Sequence, residues 1–298
     1  MKIVVTGASG QVGWELSRSL SVLGQVVALG RDGADLTRPD SLVRMVDDQR
    51  PDVLINAAAY TAVDAAEADV AGANTVNSEA VGVMAEAMKR VGGLFVHYST
   101  DYVFDGTKTA PYVESDPTCP VNVYGSSKLD GERAIAEAGG DWLTFRTTWV
   151  FAARGKNFLR TMLRLGAQRE ELSVVADQFG APTWARSIAD GTAQAVAVAM
   201  HERQAGTFES ALYHMTSSGR TSWHGFAEAV FDAWRSAPGA TSLAIKTVLP
   251  IPASAYPVPA QRPANSSLSN LALKTRFGVE LPDWRYAVEL CVKDLLPQ

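Results

Sequence analysis

The chain has 298 residues, of which 47% are hydrophobic and 20% charged, the composition of a folded globular protein with material for one large core or two joined ones. Its formal net charge of -5, with no block of like charges, argues against a nucleic-acid-binding surface. Two cysteines far apart (Cys119 and Cys291), and four histidines without ligand spacing, predict reduced thiols and no catalytic zinc.

The first apolar run, Lys2 to Val5, is short and β-branched and turns at once into Thr6-Gly7. It reads as a buried parallel strand rather than a leader peptide. No stretch of apolar residues is long enough to span a bilayer, so a soluble cytoplasmic protein is expected. Next comes Thr6-Gly7-Ala8-Ser9-Gly10-Gln11-Val12-Gly13, followed by a helical pattern through Trp14, Leu16, Leu20 and Leu23. Strand, glycine-rich turn and helix in that order predict a dinucleotide site, with the backbone approaching a pyrophosphate and the helix N-terminus donating to it. Alone, the glycines would also satisfy a tight β–α turn.

A second strand, Val26 to Leu29, ends at Gly30-Arg31-Asp32. Arg31 suits the 2′-phosphate of NADP, Asp32 keeps NAD in play, and a merely solvated arginine is the plain alternative. Ala34, Asp35 and Leu36 can border an adenine, and Thr37 or Asp40 can cap a helix starting near Pro39. Strand three, Val53 to Ile55, runs into Asn56-Ala57-Ala58-Ala59-Tyr60-Thr61. A helix from about Ala71 to Val91 follows, with Val76, Ala80, Val83, Met84 and Ala87 on one face and Asn77 as a structural polar residue.

Strand four, Leu94 to Tyr98, delivers Ser99-Thr100-Asp101 to the carboxyl edge of a parallel sheet, where ligands of such folds collect. After a proline-marked loop, Tyr124 and Lys128 stand four residues apart on a predicted helix and share a face. An ammonium beside a phenol would lower the phenol's pKa from about 10 towards the range of a general acid or base. Leu143 to Arg146 is the next strand, ending near Trp149. A helix over Ser187–Met200 and a strand at Tyr213-His214-Met215 follow, then a proline-rich stretch expected to form a smaller lobe. The fold class predicted is α/β, a Rossmann-like doubly wound parallel sheet with a smaller C-terminal α/β lobe. Residues 1–150 with about 182–215 are assigned to the dinucleotide-binding domain, and about 151–181 with 216–298 to the substrate lobe.

The glycine triplet, Asn56-Ala57-Ala58-Ala59, Ser99-Thr100-Asp101-Tyr102-Val103-Phe104-Asp105-Gly106 and Tyr124-x-x-x-Lys128 together resemble the extended short-chain dehydrogenase/reductase superfamily. The longer strings, above all Ser99–Gly106 and Asp177–Thr183, resemble its dTDP-4-dehydrorhamnose reductase family. The resemblance implies hydride delivery from NADPH, or NADH, to the C4 ketone of dTDP-4-dehydro-β-L-rhamnose. It makes Tyr124 the proton donor, Lys128 the ribose ligand and Thr100 the hydroxyl at the reacting centre. It places the pyrophosphate on Gly10, Gln11 and Val12, with Gly7 and Gly13 also at the cofactor, and Ala59, Tyr60, Thr61 and Tyr98 beside it. Asp101, Tyr102, Trp149, Asn157, Arg262 and Asn265 become substrate contacts, with a core tryptophan and polar loop residues as the plain readings of Trp149, Arg262 and Asn265.

Some members of the family hold Mg²⁺ between protomers. Glu15 matches one ligand position and Asp294 lies near another, but Arg186 stands where a glutamate ligand would be, and a guanidinium cannot ligate. The expectation is therefore no metal, a direct Glu15–Arg186 pair, and a weak homodimer or monomer. Competing readings are another sugar-nucleotide reductase, epimerase or dehydratase, and a non-catalytic NADP-binding regulatory subunit. The presence of Thr100, Tyr124 and Lys128 together favours an enzyme.

Overall fold

The computed structural model describes residues 1–296. In chain order the elements begin with β1 (Lys2–Thr6), α1 (Gln11–Ser19), β2 (Gln25–Leu29), α2 (Pro39–Gln49) and β3 (Val53–Asn56). There follow α3 (Val63–Ala66), α4 (Val70–Asn74), α5 (Ala80–Val91), β4 (Leu94–Thr100), α6 (Val123–Ala138) and β5 (Asp141–Thr147). The second half contains β6 (Val150–Phe151), α7 (Phe158–Gly166), β7 (Glu171–Val175), β8 (Phe179–Gly180), β9 (Thr183–Trp184) and α8 (Ala185–Ala205). It ends with β10 (Ala211–His214), β11 (Thr221–Ser222), α9 (Trp223–Ser236), β12 (Thr247–Ile251), α10 (Leu271–Phe277) and α11 (Trp284–Lys293).

Six strands form one sheet in the order β10-β5-β4-β3-β1-β2, every neighbouring pair parallel. Strand periodicity divides the core between its two faces. Ile3, Val5, Val53 and Ile55 pack against α1, the 3₁₀ turn that follows it, and α8, through Leu16, Leu20, Ile188 and Val196. Val4 and Leu54 face the other way, onto Leu42 and Val46 of α2 and Val81 and Met84 of α5. Both faces are covered, as a parallel sheet requires. The chain leaves β1 for β2 on one side and later takes β3 on the other, so the ligand crevice lies at the carboxyl ends of β1 and β3.

A separate core, including Leu159, Met162, Phe226, Phe231, Trp284 and Val288, is built from α7, α9, α11 and the β7–β12 pair. It is the smaller lobe. Leu273, Phe277, Val279 and Leu281 come from the stretch assigned to that lobe but pack in the sheet core.

Two local expectations change. The helix over 71–91 is present and runs unbroken from Val70 to Val91, but it contains a π-helical turn at Thr75–Glu79 between α4 and α5. The α2 N-cap is Arg38, without a side-chain cap, because the Thr37 hydroxyl is spent on Asp35. Among the described residues, no helix is long and apolar enough to cross a membrane.

Candidate active site

At the end of β1 the backbone enters the left-handed region at Gly7 (φ 70°), and a Cβ there would stand 2.7 Å from the Ala57 carbonyl carbon. Only glycine fits a turn pressed so closely on the neighbouring strand end. The Gly10 N–H closes the turn on Gly7 O at 2.9 Å. Gly10 then caps α1 with no side chain of its own, leaving the first N–H groups of the helix to an external acceptor. These features fit a dinucleotide pyrophosphate.

Gln11 Oε1 accepts from Asn157 Nδ2 at 2.8 Å, and Asn157 also caps α7 and donates to the carbonyls of Ala152 and Arg154. Asn157 therefore clasps the lobe onto the glycine loop, and its amide is fully engaged. Arg154 completes the clasp, its guanidinium 3.2 Å from the centre of the Trp14 ring while Arg18 covers the ring at 3.6 Å.

At the far end of the crevice the Arg31 side chain is 80% exposed, with only a 3.9 Å approach to Asp35. Asp35 Oδ1 accepts from the Thr37 hydroxyl (2.8 Å) and N–H (3.0 Å), which hold its carboxyl below the usual range, and Leu36 is buried. Tyr60 is fixed by Asn77, which accepts from its N–H at 2.9 Å and donates to its carbonyl at 3.1 Å. Ala59 lies half-buried beside it and Thr61 is exposed. Asn77 sits in the π turn and also donates to Ser127 Oγ at 3.0 Å, tying the Tyr60 loop to α6.

The candidate catalytic residues meet where β4 ends and α6 begins. Asn122 caps α6 by accepting from the Gly125 N–H at 2.7 Å, so Tyr124 falls in the first turn and Lys128 one turn later. Thr100 Oγ1 donates to Asp101 Oδ1 at 3.0 Å and accepts from the Tyr102 N–H at 3.2 Å. The Tyr102 and Tyr124 rings meet edge to face, 5.7 Å apart. Burial raises the Asp101 carboxyl to about 6, opposed by neighbouring hydroxyls, of which Thr100 donates to it directly.

The expected tuning of Tyr124 by Lys128 is not what the geometry gives. Burial pushes the Tyr124 phenol up to about 12, the Asp101 charge adding to it and Thr100 opposing. Lys128 Nζ instead lies 2.9 Å from His97 Nε2 and 2.6 Å from Tyr98 O, and burial pushes it down to about 7 against the pull of Glu132. Desolvation outweighs the attraction that the sequence spacing suggested. Tyr98 reaches this site only through its carbonyl. Its ring packs on the opposite face with Phe145, and its hydroxyl pairs with Thr192 at 2.7 Å.

On the substrate side, Arg262 is paired with Asp64 at 2.9 Å and sits beside the Tyr102 phenol. Asn265 donates to Lys108 O (2.7 Å) and Ala110 O (3.2 Å) and accepts from the Ser267 N–H (3.2 Å), so its amide holds loops together. Trp149, half-buried at a positive φ of 45°, stacks on Trp223 with ring centres 3.6 Å apart. Such a backbone is uncommon for a bulky residue, and the indole stack is what holds it. The direct Glu15–Arg186 pair is replaced by another: Arg186 bonds Asp294 at 3.6 Å, while burial raises the Glu15 carboxyl despite Arg186 and Arg18 nearby.

The family described as "RmlD substrate binding domain" matches residues 1–296. The chain is 74% identical over 298 residues to the dTDP-4-dehydrorhamnose reductase of Burkholderia thailandensis, with both chains covered in full. It belongs to the dTDP-4-dehydrorhamnose reductase family. The Escherichia coli reductase is 43% identical, covering 99% of this chain and 98% of its own. The crystal structure of the Bacillus anthracis reductase in complex with NADP superposes with a TM-score of 0.87 at 31% identity, covering 98% of this chain and 99% of that one. A UDP-glucose 4-epimerase from Thermus thermophilus shares the fold alone, at 19% identity and a TM-score of 0.78.

Within this reductase scaffold several residues at the site went unread in the sequence. His97 contacts Lys128 and is itself held by Asn56, Asp64 holds Arg262, and a buried Arg146–Glu132 ion pair at 2.7 Å anchors α6 to β5. Asn56 lies in the Asn56-Ala57-Ala58-Ala59 string, but its side-chain role is not given by that motif, and Asp64, Glu132 and Arg146 have no local motif. The alternation of β4 put His97 on the same face as α6, and that was the one available signal.

Proposed function

We propose that this reductase converts dTDP-4-dehydro-β-L-rhamnose to dTDP-L-rhamnose at the expense of NADPH, with Tyr124 as the proton donor. The convergence of Thr100, Asp101, Tyr124 and Lys128 at one sheet edge, beside an uncapped glycine-rich helix start, carries the reading. The dinucleotide, when bound, supplies the hydride. Gly7, Gly10, Gln11, Val12 and Gly13 would hold its pyrophosphate, and Ala59, Tyr60 and Thr61 would flank it. Lys128 would meet the nicotinamide ribose. NADPH over NADH is supported by Arg31, exposed beside an open Gly30, while Asp35 is already occupied by Thr37.

At the reacting centre Tyr124 is a protonated phenol at neutral pH, the state a donor to a developing alkoxide requires. Thr100 would hold the substrate oxygen, and the buried Asp101 keeps the Thr100 hydroxyl oriented. Trp149 would wall the sugar. Arg262 would reach the diphosphate by loosening from Asp64, with the Tyr102 phenol beside it. Asn157 and Asn265 act by holding the lobe and its loops. Residues 1–150 with about 182–215 would form the dinucleotide domain, and about 151–181 with 216–298 the substrate lobe, except the stretch from Leu273 to Leu281, which packs in the sheet core. The protein is cytoplasmic, a weak homodimer or monomer, and uses no metal at Glu15.

Loss of NADPH absorbance with enzymatically generated dTDP-4-dehydro-β-L-rhamnose, run beside NADH and a uridine analogue, tests this. Rapid oxidation with the thymidine sugar and NADPH is expected. Tight NADPH binding without oxidation would reject the reading.

A further inference from the structure

Behind the reacting residues a chain of hydrogen bonds runs from β1 to α6. Thr6 Oγ1 donates to Asn56 Oδ1 at 2.6 Å, and the Ala58 N–H donates to the same oxygen at 3.1 Å. A backbone N–H can only donate, so this contact fixes which end of the Asn56 amide is oxygen. The Asn56 Nδ2 end therefore faces His97 Nδ1, at 3.1 Å. An amide nitrogen is a donor without acceptor capacity, and His97 Nδ1 must accept. His97 is fully buried and its pKa is pushed well below the ordinary value, first by desolvation and then by Lys128. A neutral imidazole that accepts at Nδ1 carries its proton on Nε2.

That proton points at Lys128 Nζ, 2.9 Å away. Two N–H donors cannot face one another, so the lysine must present a lone pair. Only the neutral amine has one, and it still donates to Tyr98 O at 2.6 Å. An ammonium would leave one contact in the chain opposed, donor against donor.

We propose that His97 is a positioning residue that, oriented by Asn56, stows Lys128 as an uncharged amine in the cofactor-free enzyme, and that the dinucleotide's ribose hydroxyls draw the lysine out and recharge it with a proton from solvent. The balance is Lys–NH₂ plus a solvent proton giving Lys–NH₃⁺, with His97 remaining neutral. The second half rests on the dinucleotide reading given above. The charged groups facing Lys128 are few. Glu132 on its own helix favours the ammonium but is engaged by Arg146 of β5. From β4 the contacts are His97 and the Tyr98 carbonyl, and from β3, through His97, the neutral Asn56. Tyr124, one turn earlier, is itself a neutral phenol. Recharging the lysine only when cofactor is present would place the cation near Tyr124 at the stage when proton donation is needed.

The test is NMR of ¹³Cε-labelled lysine at about pH 9, between the displaced value of about 7 and the ordinary one. The Lys128 resonance is assigned by its loss in Lys128→Met. In the cofactor-free wild type it should lie at the amine position. In His97→Gln, whose side-chain oxygen can accept from an ammonium, it should move to the ammonium position. Asn56→Asp, which accepts from His97 Nδ1–H and frees Nε2 as an acceptor, should do the same and serves if His97→Gln fails to fold. A charged Lys128 in the free wild type overturns the proposal, as does an amine persisting in both variants. Adding NADPH should shift the wild-type resonance to the ammonium position, with calorimetry in buffers of different ionisation enthalpy showing uptake of about one proton. NADPH that binds without that uptake overturns the recharging step. An absence of NADPH binding rejects the functional reading instead and leaves the free-enzyme result to decide the role of His97.

Discussion

At the scale of single residues, Tyr124 and Lys128 allow the proposed chemistry to be tested apart from the proposed binding. Tyr124→Phe keeps the ring against Tyr102 and removes only the transferable proton. Turnover is expected to fall by about 10²–10⁴-fold, the usual worth of a positioned general acid, with the NADPH dissociation constant unchanged. Stopped-flow oxidation and fluorescence titration measure the two, and turnover close to wild type would reject the donor assignment. Lys128 predicts a pH effect on stability. Its folded-state pKa of about 7 lies below the ordinary lysine value, so between the two the unfolded chain binds more protons. The cost of burying it is full below about pH 7 and disappears as pH rises towards about 10. Thermal melts of the cofactor-free protein should therefore gain on those of Lys128→Met over that window, and parallel curves would contradict the assignment. The Tyr124-x-x-x-Lys128 spacing was visible in the sequence because both residues lie on one helix. Their electrostatics were not, because burial and the partners His97 and Tyr98 come from a strand about thirty residues away.

Among elements, the placement of α6 depends on a close approach to the π turn at Thr75–Glu79. A Cβ on Gly131 would collide with the Asn77 carbonyl oxygen, which is backbone and cannot swing aside. Gly131→Ala should push α6 off this turn, lowering stability by about 1–3 kcal/mol and reducing turnover through displaced Tyr124. Denaturant melts and steady-state kinetics would show both, whereas wild-type stability would mean the approach is slack. The sequence showed a helix here but not its π turn, since one extra residue per turn leaves no periodic trace over so short a stretch. The parallel strands and glycine turn were readable for the opposite reason: β-branched runs and φ-positive glycines are local signals. Arg262, Asn157 and Asn265 lay beyond such reading, because their partners Asp64, Gln11 and Lys108 are more than a hundred residues away.

For the whole molecule, the sheet, the α6 layer and the lobe are joined by a few polar fastenings. The strongest is Arg146–Glu132, two parallel hydrogen bonds of 2.8 and 2.7 Å between almost fully buried groups. Arg146→Met leaves Glu132 buried and unpaired, and about 3–5 kcal/mol of stability should be lost. Urea unfolding measures it. Arg146→Met/Glu132→Leu should recover most of the loss, and a single variant as stable as the parent would show that the carboxylate finds water.

The Trp149–Trp223 stack has an optical consequence. Two indoles nearly parallel, at 10° and 3.6 Å between centres, couple their transition dipoles and act as one chromophore. One indole follows the last strand before the lobe and the other opens α9 inside it. Far-ultraviolet circular dichroism should thus carry an exciton couplet that Trp223→Phe abolishes, and its amplitude would report how closely the end of the sheet and the lobe stay packed, without any added label.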